Sequence, residues 1–160
     1  MYIWKIDELN QQLISSNLTE PDVFKYLMAW TVLNSLAMIR YLVPNQYDTY
    51  NGVMSVVISI IGLAFIYICN GGKNGSHLLE RYLSIGWVVF VRFLVLFFLP
   101  AYIAMFTIQE IYMGGIAEQT TEMDMAFYLI LEVVYILWCA KHINFVAKQS
   151  QAEQVASVDQ

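Results

Sequence analysis

Apolar residues in this chain run in long blocks separated by short polar stretches, and four blocks reach the length of a bilayer crossing. A hydrocarbon core about 30 Å thick needs roughly 17–25 mostly apolar helical residues. The blocks are residues 23–43, 53–69, 82–108 and 125–146, and the second carries no charge. At 1.5 Å per residue the third would be about 40 Å long, so the pattern predicts a tilt, or a kink near Pro100. The expected fold class is all-α: a polytopic membrane protein with four transmembrane helices.

Ahead of the first block, "MYIWKIDELNQQLISS" repeats apolar residues at helical spacing. Tyr2, Ile6, Leu9 and Leu13 share one face and Lys5, Asp7, Glu8 and Gln11 lie elsewhere, which predicts a short amphipathic helix over about residues 2–15. Its Trp4 and apolar stripe suit a membrane interface, whereas its acidic face would be repelled by anionic lipid. Thr19 is placed to cap the next helix, with Pro21 in its first turn and Asp22 at the capping-box position. Residues 149–160, "QSQAEQVASVDQ" with the preceding Lys148, are polar and lack aromatics, so a disordered cytoplasmic tail is expected. No internal repeat is visible, and residues 1–148 read as one transmembrane domain.

Composition supports the blocks. The chain is 59% apolar and 13% charged, where soluble domains run roughly 45–50% apolar and about 25% charged. A small soluble globule could not be coated with so little polar surface. The net charge of −5, with eight Lys and Arg, argues against nucleic acid as a partner, because that binding rests on a basic footprint. Asp7, Glu8, Asn10, Gln11 and Gln12 interrupt any apolar signal region near the start.

Orientation follows from the basic residues. Lys5, Lys25, Lys73, Arg81, Lys141 and Lys148 fall on one side of the four blocks, and Arg40, beside Asp48, on the other. The loop after the third block carries Glu110, Glu118, Glu122 and Asp124 and no basic residue. Both termini are expected in the cytoplasm. Cys69 and Cys139 then lie toward the reducing side, and no metal-ligand spacing connects them.

Arg92 and Glu132 are ionisable residues inside apolar blocks. Each needs a partner or water at that depth, and their expected depths are similar, so an intramembrane charge pair is predicted, within or between subunits. Tyr128, Glu132, Tyr135, Cys139 and His142 fall within about 80° of one another at roughly 100° per residue. Thr31 and Asn34, with Ser35 and Tyr41, form a weaker patch on the first block. Such stripes either hydrogen-bond inside a bundle or line a pore or cavity. Gly52, Ser55, Ser59 and Gly62 form a small-residue face suited to close helix packing, in the chain's own bundle or in an oligomer.

The loop "NGGKNGSHLLERY" lacks the final Gly-Lys-Ser/Thr order of a P-loop. It reads as a tight turn with Ser76 capping the next helix, or as a weak anion site using Lys73. His77 and His142 lack further ligands at metal-binding spacing, so no metal or other cofactor is expected. No catalytic constellation is present in the sequence, and an enzyme is not expected.

The stretch from Asn70 to Arg92, "NGGKNGSHLLERYLSIGWVVFVR", resembles a family of small four-helix bacterial inner-membrane proteins of uncharacterised function. The residues carrying the likeness are Asn70, Gly71, Gly72, Gly75, Glu80, Arg81, Tyr82 and Arg92. The resemblance implies a bacterial cytoplasmic membrane and supplies no activity. Three function classes fit: a homo-oligomeric channel-like or membrane-perturbing sensor or effector, by analogy in stress or anti-phage defence; a membrane anchor docking a cytosolic protein; and a small transporter.

Overall fold

The computed structural model describes residues 2–15, 18–37, 45–113 and 119–158. It is all-helical, with no strand among the described residues. The helices are α1 (Ile6–Ile14), α2 (Glu20–Ala37), α3 (Gln46–Cys69), α4 (Leu78–Phe93), α5 (Leu99–Met113) and α6 (Glu122–Val158). A short 3₁₀ turn (Gly72–Asn74) follows α3, and a π-helical turn (Leu94–Phe98) joins α4 to α5.

Among the described residues, three continuous helical runs are long and apolar enough to cross a membrane: Gln46–Cys69, Leu78–Tyr112 and Glu122–Ala152. Their outward faces are apolar and uncovered, with Ile60 and Ile61 of α3 65% and 64% exposed. A contiguous surface of that kind is a liability in water and a requirement in hydrocarbon. The first expected span corresponds to α2, whose described part ends at Ala37; its remainder, 38–43, lies outside the described residues.

The expected disturbance at Pro100 takes the form of the π turn. Proline lacks an N–H and its ring crowds the carbonyl four residues earlier, here Leu96. Widening residues 94–98 into a π turn relieves that crowding while the helix continues.

Side-chain partners fix how the helices run. Tyr47 donates to Glu122 at 2.9 Å, and the Asn45 amide donates to the Thr120 carbonyl at 2.7 Å. Further along, Ser55 and Ser59 meet Glu132, and Gly62 meets Ile136. Thus α3 and α6 lie side by side and parallel. Helix α4 runs antiparallel to α6, since Arg81 meets Ser150 while Gln109, beyond the π turn, meets Asp124. Reciprocal capping boxes start both parallel helices: Asn45 with Asp48, and Thr121 with Asp124.

Helix α1 sits against α4 and α6. Its Ile6, Leu9 and Leu13 join Tyr26, Ile85, Val88, Cys139, Ile143 and Val146 in one buried cluster. The stripe expected to face lipid is thus covered by protein, where it buries more apolar area than a membrane surface would allow and leaves Asp7 and Glu8 exposed. A second correction concerns the tail. Helix α6 continues through Val158, because Gln, Ala and Glu are good helix formers and Ser150 is fastened to Arg81. A third concerns the loop: α4 starts at His77, in left-handed backbone and without a side-chain cap, rather than at Ser76.

Candidate functional site

Glu132 lies ten residues into α6, about 15 Å from its start, inside the run Glu122–Ala152 that is long and apolar enough to cross a membrane. Ser55 donates to its Oε2 and Ser59 to its Oε1, both at 2.7 Å. Each carboxylate oxygen therefore has its own hydroxyl, at the short distance typical of charge-assisted bonds. The two serines are one helical turn apart on α3, so a parallel neighbour at this register presents both to one side chain. Glu132 and Ser55 are half-buried and Ser59 is exposed, so the site is open on one side.

Arg92 is elsewhere. Its Nε donates to the Trp4 carbonyl at 2.8 Å, and its guanidinium lies over the Trp4 ring at 5.7 Å from the centroid. Within this chain the predicted Arg92–Glu132 pair does not form, and the two side chains have different partners. Glu132 is turned toward α3, while Arg92 reaches back to the segment leading into α1. Among the described residues no basic side chain forms an ion pair with Glu132.

The predicted stripe on α6 divides among several neighbours. Tyr135 donates to the Gly86 carbonyl of α4 at 3.2 Å and packs on Phe90 and Phe93. Cys139 is fully buried in the core cluster, and His142 Nδ1 lies 3.4 Å from the Asn10 amide of α1. Tyr128 sits beside Phe127 near the start of the helix and is exposed. Within the single chain these residues thus have different neighbours. Thr31 and Asn34 belong to α2, but their side chains lie outside the described residues.

On the small-residue face, Ser55 and Ser59 serve Glu132. A Cβ on Gly62 would stand 2.5 Å from Ile136 Cδ1, so this glycine is what lets the two helices close. Gly52 differs, having nothing within 4 Å of where its Cβ would be. On the seam, Ile58, Ile61, Gly62 and Phe65 with Val133, Ile136 and Leu137 form an open apolar groove of about 240 Å³.

From the sequence, Arg81 counts only among the basic residues on one side of the apolar blocks. It is buried, 2% exposed, and donates to Asn70 Oδ1 and Ser150 Oγ, both at 2.9 Å. Asn70 in turn donates to the Ser76 carbonyl. Gly71, at φ 100°, makes the left-handed turn that ends α3. A Cβ on Gly75 would run into Asn70. Asn70 and Arg81, both quoted for the Asn70–Arg92 likeness, thus form with Ser150 a clasp that fastens α3 and α6 to the start of α4. The one hint in the sequence was their close spacing in a glycine-rich turn.

Together these features define an all-helical chain with three helices of membrane-crossing length and a carboxylate held within their seam. Compared with known protein families, with characterised proteins and with solved structures, the chain matches none.

Proposed function

We propose that this is a small homo-oligomeric membrane protein with a channel-like or membrane-perturbing activity, in which Glu132 faces the conducting path. Glu132 carries the reading: a half-buried carboxylate at membrane depth, held by two hydroxyls without a basic partner. A carboxyl group is retained in hydrocarbon mostly where it serves water, an ion or another subunit. In this reading α2 with residues 38–43 forms a fourth span, and the basic residues keep both termini in the cytoplasm. The Asn70–Arg92 likeness supports a bacterial inner membrane, and a role in stress or anti-phage defence rests on analogy with other small membrane proteins.

The test is ion flux from proteoliposomes. Wild-type protein conducts, and Glu132→Gln lowers the flux at least about tenfold, the equivalent of roughly 1.4 kcal/mol. Arg92→Leu has a smaller effect, because Arg92 is engaged with Trp4. Equal flux in wild type and Glu132→Gln would remove the proposal.

The length of α6 favours a second reading, a membrane anchor. Its 37 residues span about 55 Å, well beyond a bilayer core of about 30 Å. The surplus forms a helical arm on which a cytosolic protein could dock. Loss of a co-purifying partner on truncation after Lys148, with flux absent from the wild type, would favour the anchor.

A further inference from the structure

We propose that Glu132, Ser55 and Ser59 form an exchangeable proton site, so that the ion handled at this seam is a proton. The inference rests on the reading of Glu132 as the charged group of the path, and its chemistry can be tested without measuring transport.

The two serine hydroxyls each spend their hydrogen on a different carboxylate oxygen. This arrangement suits the ionised acid. In a low-dielectric setting such a group still needs a positive charge, and the described residues supply none beside it. Between Gly52 and Ile66, α3 has no titratable side chain. On α6 the neighbouring titratable groups on the same face are Tyr128 and Tyr135, and Tyr135 already donates to Gly86. From α4, Arg92 is held by Trp4, and from α5 the nearest such residue along the chain is Tyr102, stacked on Phe98. Among the described residues, then, no fixed cation faces Glu132, and in this proposal a mobile one neutralises it.

A proton fits with the least rearrangement. It binds one carboxylate oxygen, and the serine there rotates its hydroxyl to accept instead of donate, while the other serine keeps its bond. No backbone movement is needed. A metal ion would require a fuller shell of oxygens than two hydroxyls and one carboxylate provide. The open side of the site is exposed Ser59, which the proposed oligomer turns toward water rather than lipid.

Dicyclohexylcarbodiimide, which attacks protonated carboxylic acids in apolar surroundings, tests the site in reconstituted full-length protein, with adducts located by peptide mass spectrometry. The expected adduct is on Glu132, forming more slowly as pH rises, by roughly tenfold per unit once the acid form is the minority. Glu132→Gln removes it. Three results would overturn the proposal: no adduct on Glu132 in folded protein, labelling indifferent to pH, or protection by sodium ions at constant pH. Labelling without flux would keep the proton site and remove the channel, and flux without labelling would do the reverse.

Discussion

The region around α1 and the seam between α3 and α6 solve the same problem differently. Around α1, residues of four helices converge and the interior is closed: Leu9, Tyr26, Ile85, Val88, Ile143 and Val146 are all 0% exposed. Polar groups there are tied to neighbours, as in the Tyr26 hydroxyl taking the Tyr2 N–H and Arg81 holding Asn70 and Ser150. Helix α3, in contrast, buries only Gly62 and Ile66, and its main neighbour is α6. The closed region spends its polar residues on fixing helices. The open seam keeps an ionisable residue whose partners are two rotatable hydroxyls. That difference is why Glu132, rather than Arg92 or His142, is the group suited to exchange with the surroundings.

The clasp is the most damaging place to break this arrangement. Arg81→Met removes two hydrogen bonds from a charged donor and leaves Asn70 and Ser150 without it. Hydrogen bonds to charged groups contribute about 1.5–3 kcal/mol each, so a loss near 3 kcal/mol is expected. Unfolding in detergent or lipid reads it, and Arg81→Lys should recover little, because one ammonium does not reproduce the planar fork. Unchanged stability would mean that the closed region does not depend on the clasp.

The seam should yield to a smaller push. Gly62→Val forces the whole Ile136 side chain aside, since its Cδ1, Cγ2 and Cγ1 stand 2.5, 3.0 and 3.1 Å from a Cβ at this position. Overpacking of this kind costs about 1–3 kcal/mol. Amide exchange should rise along α3 and stay unchanged at Leu9 and Leu13. A rise shared equally by α1 would erase the distinction between the two regions.

Much of this architecture follows from residue pattern alone. Block length and the lack of charge in "VMSVVISIIGLAFIYIC" give α3, and spacing identifies Ser55, Ser59 and Gly62 as one face. Pairing was harder to read. Depth along a helix is counted easily, so Arg92 and Glu132 looked matched, but which way each side faces depends on the order of helices around the bundle. The pattern gave no warning that α1 would be enclosed by α4 and α6, because an apolar stripe reads alike whether protein or lipid covers it. The burial of Arg81 was illegible for a related reason: its partners Asn70 and Ser150 are eleven and sixty-nine residues away in the chain.

The gentlest probe concerns the start of α2, which carries Tyr26 and Trp30 into the closed region. Asp22 receives hydrogen bonds from Lys25 at 3.0 Å and Thr19 at 2.8 Å. The Lys25 bond, and then the Thr19 bond, hold its carboxyl below the ordinary value of 3.8. A carboxyl lowered on folding stabilises the native state above its unfolded pKa, and that contribution is lost as pH falls through the folded one. Wild type should therefore lose its advantage over Asp22→Asn below about pH 4 and keep it at neutral pH. The group is reached by solvent, so salt should also shrink the difference. Thermal melts of both proteins at two pH values and two salt concentrations measure it. An advantage that persisted unchanged in acid would assign the role of Asp22 to uncharged capping of α2, leaving the closed region indifferent to the charge at its edge.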